Sequence, residues 1–393
     1  MLLLILVWVR TPLFSVADKI WHKESARTST IDGLRGFLAI SVFFHHAALY
    51  YHYLLTGSWQ LPPSVFYTQS GQASVSLFFM ITGFLFWGKA IRAHGRLPWK
   101  NLYIGRIFRI GPLYYLATLI MLLIVFRATG FALHESSMRL LAEIYRLAFF
   151  GFYNPAPIIN TYQNPGTILA GVTWTLRYEW LFYLLMLPIA AFFARPRGGH
   201  IWFSILGLAI CLALIFKSAG TTKIALADFF AGMACASIQQ NEYLRNLSIG
   251  NGSKSLWVIA LLTLLMTQFQ TAYAAIPIML LGLVFLLIST GCSVFGIMNT
   301  RTARRLGEIS YGIYILQGLA LYAAFYFAPV RVFALSSVSH YWLVIALAGL
   351  GLVSAALAAH VLVEMPGINA GKAIIKRLSK HNATPITVQQ SAD

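Results

Sequence analysis

Residues 341–363 read YWLVIALAGLGLVSAALAAHVLV, an apolar run that contains no Lys, Arg, Asp or Glu. A helix needs about 20 such residues to cross the hydrocarbon core of a bilayer. The run is therefore typical of a membrane-spanning helix rather than of a helix in a soluble domain.

The composition of the whole chain supports the same interpretation. Of its 393 residues, 59% are hydrophobic and 10% are charged, whereas about 25% are charged in an average soluble domain. This balance excludes a soluble globular enzyme, a disordered chain and a disulfide-rich scaffold. We predict an all-α, polytopic integral membrane protein with about ten spans. They cover residues 36–54, 72–92, 111–127, 173–194, 201–217, 222–238, 256–270, 274–290, 307–328 and 341–363.

The basic residues are unevenly distributed between the two sides of this topology. With the N-terminus in the cytoplasm, the predicted cytoplasmic segments contain 22 of the 29 Lys and Arg residues. Because positive residues accumulate on the cytoplasmic side, both termini are predicted to lie there. Attraction to an anionic inner leaflet then accounts for the net charge of +18, and nucleic-acid binding is not expected.

Three regions follow from these patterns. Residues 1–30 are predicted to be a cytoplasmic or interfacial segment, residues 31–370 the membrane domain, and residues 371–393 a basic cytoplasmic tail. Within the membrane domain, residues 137–152 mix charged and apolar residues at helical spacing, which favours an interfacial or re-entrant helix over a span. The three cysteines lie in or beside apolar runs and suggest neither disulfides nor a zinc site.

Ionisable residues inside spans are candidates for function, because they are costly in a bilayer. The first span begins IDGLRGFLAISVFFHH (31–46). On a regular helix Arg35 and His46 share one face, about 16 Å apart along the axis, and His45 points about 80° away. Arg35 and His46 could therefore bind two parts of one long ligand. Alternatively, Asp32 and Arg35 form an interfacial ion pair and His46 is a core histidine.

Two later segments carry further candidates. Arg106 and Arg109 are three residues apart just before a span, so both guanidinium groups face one way and suit a phosphate or pyrophosphate. Positive-inside anchoring is the alternative. Glu179 lies within the fourth span and needs a partner, which the sequence does not identify. His360 and Glu364, four residues apart, are predicted to form a hydrogen-bonded pair and not a metal site.

Taken together, these motifs resemble the membrane acyltransferase-3 family over residues 31–370. The matching segments are IDGLRG with His46, SLFFMITGF (76–84), RIFRIGPLY (106–114), TWTLRYEWLFY (173–183), LGEISYGIYILQ (306–317) and VEMP (363–366). Each motif is weak alone, but their order and their positions relative to the spans are specific. Gln317 stands where many family members have His, so no catalytic role is assigned to it.

The resemblance implies an integral-membrane O-acyltransferase of the bacterial inner membrane. Such an enzyme moves an acyl group, usually acetyl, from cytoplasmic acyl-CoA to a hydroxyl of a cell-surface glycan or lipid-linked sugar, such as O-antigen or exopolysaccharide. Acetyl-CoA is a donor substrate, and no bound cofactor or metal is expected. Some relatives carry an appended extracytoplasmic SGNH domain. This chain lacks room for one, which implies a stand-alone transferase or one that works with a separate helper protein.

The resemblance also implies roles for individual residues. His46 is the expected general base or nucleophile, and Arg35 and Glu179 are expected to assist it. Arg106, Arg109 and Arg35 are expected to bind the acyl-CoA. Supporting roles are expected for Asp32, Trp174 and Tyr311. Two other functions remain open: a glycan or lipid transporter without chemistry, and an acyltransferase for a small lipophilic acceptor.

Overall fold

The computed structural model describes residues 1–15, 18, 29–153, 158–195, 199–240 and 250–381. These residues are mainly helical, and all ten predicted spans fall on helices. The only strands described are a two-residue antiparallel pair, Ile158–Ile159 with Tyr162–Gln163. In chain order the helices are α1 Leu2–Arg10, α2 Ser29–Thr56, α3 Val65–Arg92, α4 Trp99–Ala128, α5 Ser137–Leu147, α6 Trp174–Leu181, α7 Leu187–Phe193, α8 Gly199–Lys217, α9 Thr221–Gln240, α10 Asn251–Gln268, α11 Ala275–Ser289, α12 Arg301–Glu308, α13 Ser310–Ala324, α14 Ala328–Leu335, α15 Val338–Ala359 and α16 Met365–His381.

The lengths and compositions of these helices confirm a polytopic membrane protein. In the described part of the chain, six helical segments are long and apolar enough to cross a bilayer: α3, α4, α6–α7, α8, α9 and α15–α16. A seventh is the bent pair α13 and α14, which meet at 94°. The other three predicted spans lie on α2 and α10, which carry more polar residues, and on α11, which has 15 residues.

Helix α3 is the central helix of the bundle, and glycines let α9 approach it closely. A Cβ at Gly83 would overlap the carbonyl oxygen of Phe229, and one at Gly232 would overlap that of Met80. Small residues serve this purpose in membrane interiors, where close packing replaces the hydrophobic effect between helices. The contact fixes α3, which carries one wall of the site described below.

Helix α2 is held in the same way against α12. A Cβ at Gly307 would overlap the carbonyl oxygen of Asp32, and one at Gly36 would lie 2.6 Å from Cβ of Leu306. Farther along, α2 packs against α13. The start of α2, which carries Arg35, is therefore fixed by close backbone contact with α12.

Two π-helical turns interrupt otherwise continuous spans. One, Phe182–Met186, joins α6 to α7, and the other, His360–Glu364, joins α15 to α16. Single π-helical turns occur frequently at functional sites, because the extra residue re-aims the side chains around it. Both turns contribute residues to, or directly behind, the cavity described below.

Residues 1–30 and 137–152, the two segments predicted to be interfacial, both contain helices in their described parts. Helix α5 presents the exposed side chains of Met138, Leu141 and Tyr145 beside its charged residues. Helix α1 packs against α15 and α12, and the indole of Trp8 donates a hydrogen bond to Ser354 Oγ at 2.9 Å. Ser354 lies within the last predicted span, so the described N-terminal residues contact that span.

Candidate active site

A cavity of about 640 Å³ lies between α2, α3, α4, α6 and α13. Its basic residues come from segments that the charge distribution predicts to be cytoplasmic. They include five cations, namely Arg35, Lys89, Arg92, Arg106 and Arg109. The carboxylates on the lining are Asp32 and Glu179, so positive charge is in excess there.

Aromatic rings orient the cations at one wall of the cavity. The guanidinium of Arg106 lies 5.1 Å from the ring centre of Phe86 and 6.0 Å from that of Tyr183. The ammonium of Lys89 lies 5.4 Å from the same Phe86 ring. Cation–π contacts of this kind position a charge without neutralising it. Tyr183 reaches the cavity from the first π-helical turn.

Glu179 also lines the cavity, one helical turn before Tyr183 on the same continuous helix. Thr82 Oγ1 donates a hydrogen bond to Glu179 Oε1 at 3.4 Å, and the charges of Arg106, Arg35 and Arg109 act on the carboxylate. The partner that the sequence left open is thus a hydroxyl from the SLFFMITGF segment together with a set of arginines. A carboxylate among several cations can balance their charge while no anionic ligand is present.

Arg35 and Arg109 each contact a carboxylate. Arg35 Nη1 is 3.9 Å from Asp32 Oδ1, one turn away on α2. Arg109 Nη2 is 3.9 Å from Glu364 Oε1 in the second π-helical turn. Glu364 Oε2 in turn is 2.9 Å from His360 Nδ1, which confirms the predicted pair. The described residues contain no group of three His, Cys, Asp or Glu side chains placed to bind a metal.

The two aromatic residues with expected supporting roles differ in position. Tyr311 lines the cavity, and its hydroxyl donates to the carbonyl of Ile110 at 2.8 Å, which ties α13 to α4. Trp174 begins α6 and packs edge-on against Tyr178 and Phe79. It is not among the lining residues, although its neighbour Thr175 is.

His46 lies behind the cavity rather than on its lining. The Nδ1 atom of its ring is 3.0 Å from the carbonyl oxygen of Val42 and 3.2 Å from Gln317 Oε1. Gln317 Nε2 donates to the carbonyl of Tyr314 at 2.8 Å, and Tyr314 lines the cavity. The structure therefore separates His46 from Arg35 as the spacing predicts, and it connects His46 to the cavity through two residues of α13.

His45 faces a different helix. Its Nδ1 is 2.8 Å from the carbonyl oxygen of Tyr67 on α3, and its ring lies against Gly71, where a Cβ would overlap it. Because the ring is buried and directed at backbone, His45 contributes to the packing of α2 on α3.

Sequence reasoning missed several residues of this site. Lys89 and Arg92 were counted only as topology signals, although their spacing of three residues is the same as that of Arg106 and Arg109. Tyr314 and Gln317 lie within the LGEISYGIYILQ motif (306–317), and neither carries a charge that would mark it as a site residue. Only the packing of α13 against α2 brings these two residues to His46, so no sequence signal identifies their contacts.

Comparison with known proteins identifies the family of the chain. A family model described as an acyltransferase domain, that of the acyltransferase-3 family, matches residues 29–362. No curated protein and no solved structure matches the chain. The matched region contains the cavity, His46 and both π-helical turns apart from the last two residues of the second. The match covers more than four fifths of the sequence, so the chain belongs to the acyltransferase-3 family and is a multi-pass membrane acyltransferase.

Proposed function

We propose that the protein is an O-acyltransferase of the bacterial inner membrane that moves acetyl from cytoplasmic acetyl-CoA to a hydroxyl of a cell-surface glycan. The observation that carries the proposal is the cavity with five cations at its predicted cytoplasmic end. CoA brings a diphosphate and a further phosphate, and guanidinium and ammonium groups are the side chains that bind such anions.

The donor is expected to enter with its phosphates at the cationic wall. Arg106, fixed on the rings of Phe86 and Tyr183, is suited to a forked contact with one phosphate. The acyl-bearing end would then extend past Arg35 and Glu179 toward Tyr314. Arg35 is positioned to polarise the thioester carbonyl, and Glu179 to orient or balance the arginines.

His46 supplies the chemistry in this scheme. A nitrogen lone pair on its ring takes the proton of the acceptor hydroxyl while that oxygen attacks the thioester carbonyl carbon. The carbon–sulfur bond breaks, and the departing CoA thiolate takes the proton from the imidazolium. The nucleophilic alternative, in which His46 carries the acetyl group between two half-reactions, uses the same lone pair. A separate extracytoplasmic protein could complete delivery to the glycan.

The test uses membranes that contain the full chain and radiolabelled acetyl-CoA. We expect label in the glycan or lipid-linked sugar fraction, and free CoA released in equal amount. Matched membranes with the His46→Ala protein control for other transferases. Mass analysis of surface glycans from cells with and without the gene should show a difference equal to the mass of one acetyl group for each modified hydroxyl.

Other outcomes would contradict parts of the proposal. Label in a small lipophilic molecule would mean that the acceptor is not a glycan. Transfer from a longer acyl-CoA in preference to acetyl-CoA would mean that acetyl-CoA is not the donor. Export of a glycan without any release of CoA would make the protein a transporter and overturn the proposal altogether.

A further inference from the structure

Gln317 has a buried amide group whose two ends have different partners. The residue is completely buried. Its Nε2 is 2.8 Å from the carbonyl oxygen of Tyr314, and its Oε1 is 3.2 Å from His46 Nδ1. An unpaired polar group at such a depth is costly, so both contacts have to be hydrogen bonds of the correct polarity.

The Tyr314 carbonyl fixes which way the amide points. A carbonyl oxygen only accepts, so it requires the NH₂ end of the amide. The oxygen end of Gln317 must then face His46. Turning the amide over would place two oxygens against each other at Tyr314 and an NH₂ group against the ring.

The orientation of the amide determines where His46 carries its proton. Both neighbours of Nδ1, namely the Val42 carbonyl and Gln317 Oε1, are acceptors. Nδ1 must therefore carry the hydrogen, and in a neutral ring the lone pair is left on Nε2. Nε2 has no hydrogen-bond partner among the described residues, whose contacts to this ring are all made by Nδ1.

From this geometry we propose that Gln317 is a positioning residue that holds neutral His46 with its proton on Nδ1 and its lone pair on Nε2. This is the form that a general base or a nucleophile requires. The catalytic consequence rests on the proposed function, whereas the tautomer does not. An imidazole nitrogen can accept the same hydrogen bond, so a His side chain at this position could keep the contact with His46.

The arrangement also couples the ring to the wall of the donor cavity. Gln317 is anchored on the backbone of Tyr314, and the Tyr314 hydroxyl is 3.0 Å from Thr175 Oγ1 and 3.3 Å from the carbonyl of Val172. Tyr314 and Thr175 both line the cavity. The side chain that orients His46 is therefore fixed to the wall along which the thioester would approach.

The tautomer can be measured without any activity assay. Purified full-length protein with ¹⁵N-labelled histidine gives the His46 signals by difference from the His46→Ala protein. At a pH where the ring is neutral, we expect a protonated Nδ1 and an unprotonated Nε2. An unprotonated Nδ1 would overturn the proposal, whatever the protein transfers.

The catalytic consequence is tested with Gln317→Met, which keeps the volume of the side chain and removes both hydrogen bonds. We expect kcat to fall about 10- to 100-fold, as when the partner that orients a functional histidine is lost, with the KM for acetyl-CoA unchanged. The ¹⁵N spectrum should show a mixture of tautomers. Gln317→His should restore most of the rate, because it restores the acceptor.

A matched control is Gln69→Met on α3, which removes another fully buried glutamine, one that donates to the carbonyl of Phe269. It should leave the His46 signals unchanged. In the His46→Ala background, Gln317→Met should cause no further loss of rate, because Gln317 acts through that ring. A further loss, or a rise in KM equal to the fall in kcat/KM, would contradict a positioning role.

These experiments distinguish the proposed function from the inferred tautomer of His46. If the wild-type protein releases no CoA from acetyl-CoA but shows a protonated Nδ1, the proposed function fails and the structural inference stands. If it transfers acetyl with Nε2 protonated, the proposed function stands and the inference fails.

Discussion

At the scale of single residues, the two adjacent histidines of α2 have separate environments. His45 is directed at the backbone of α3 and packs on Gly71, whereas His46 is directed at α13 and Gln317. Consecutive residues on a helix are turned about 100° from each other, so two rings with the same chemistry reach different neighbours. The surroundings of the two rings, and not the residue type, make His46 the candidate for the proposed chemistry.

This difference gives a first prediction. His46→Ala should reduce acyl transfer by about 10²- to 10⁴-fold, the usual cost of a lost general base, while the protein still accumulates in the membrane. His45→Ala should retain most of the activity and lose thermal stability, because it leaves a void against Gly71. The measurement is the rate of CoA release per unit of inserted protein. An inactive His45→Ala protein beside an active His46→Ala protein would show that the site is misplaced.

A second prediction concerns the arginine pair. Lys at positions 106 and 109 keeps the charge but loses the planar fork, and at position 106 it also loses the guanidinium contact with the rings of Phe86 and Tyr183. We expect the KM for acetyl-CoA to rise about 10-fold, equivalent to about 1.4 kcal/mol of lost binding. Arg96→Lys, on the exposed turn that follows α3, is the matched control and should have a wild-type KM. A double Lys variant with normal KM would favour a purely topological role for the pair.

The sequence predicted the charged residues of the site better than their polar neighbours. Arg35, Arg106, Arg109 and Glu179 stand out because ionisable groups in or beside spans are rare, and all four line the cavity. Gln317 is neutral and gives no such signal. Its contact with His46 joins residues 271 positions apart, so it depends on how two helices pack and not on any local pattern.

At the scale of helices, the spans were predictable and their interruptions were not. Apolar length alone locates α3, α4, α8 and α9. The predicted span 307–328, however, begins in α12, continues in α13 and is followed by the 94° turn into α14. The sequence also gives no signal that predicts the π-helical turns, because one extra residue in a turn changes neither the composition nor the length of a span.

A third prediction concerns the contact between the N-terminal segment and α12. Asp18 accepts hydrogen bonds from Arg305 at 2.7 and 2.9 Å and from Arg301 at 2.6 and 3.0 Å. These arginines, Arg305 first, hold the pKa of Asp18 at about 2, below its usual 3.8. The guanidinium of Arg305 is buried and also donates to the carbonyl oxygen of Val9.

Because the pKa is lower in the folded state, the ion pair stabilises the fold fully above about pH 4 and loses this effect as the pH falls toward 2. Asp18→Asn should therefore lower the midpoint of thermal unfolding in detergent by about 2 °C at pH 7. The difference should shrink below pH 4. Glu143→Gln removes the 3.5 Å pair between Glu143 and the exposed guanidinium of Arg146, and it should change little. If the difference in unfolding midpoint between the wild-type and Asp18→Asn proteins is undiminished at pH 2.5, or if it disappears near pH 6, the lowered pKa of Asp18 would be contradicted.

At the scale of the whole molecule, the cavity and the charge distribution point to the same side of the membrane. All five cations of the lining belong to the 22 basic residues that the sequence assigns to the cytoplasmic side. The aromatic ends of α2 and α13, with Tyr50 stacked on Phe325, lie at the opposite end. A donor that is made in the cytoplasm and an acceptor at the outer surface would therefore approach His46 from opposite ends of the bundle.

This orientation is the basis of the last prediction. The three native cysteines are all buried, so a membrane-impermeant thiol reagent should report only on cysteines that are introduced at exposed positions. Gln60→Cys, between α2 and α3, should react in intact cells. Lys100→Cys, at the start of α4, should react only after the membrane is permeabilised. Both positions are exposed in the fold, which makes them a matched pair that differs only in the predicted side.

The reverse labelling pattern would invert the topology and place the cationic cavity outside the cytoplasm, where acyl-CoA is absent. That result would contradict cytoplasmic acetyl-CoA as the donor, and it would not contradict the fold. Equal labelling of both positions in intact cells would mean that α3 does not cross the bilayer, which its central, buried position and its two glycine contacts with α9 argue against. The expected pattern follows from the same physical cause as the charge count, since basic loops remain on the cytoplasmic side during insertion.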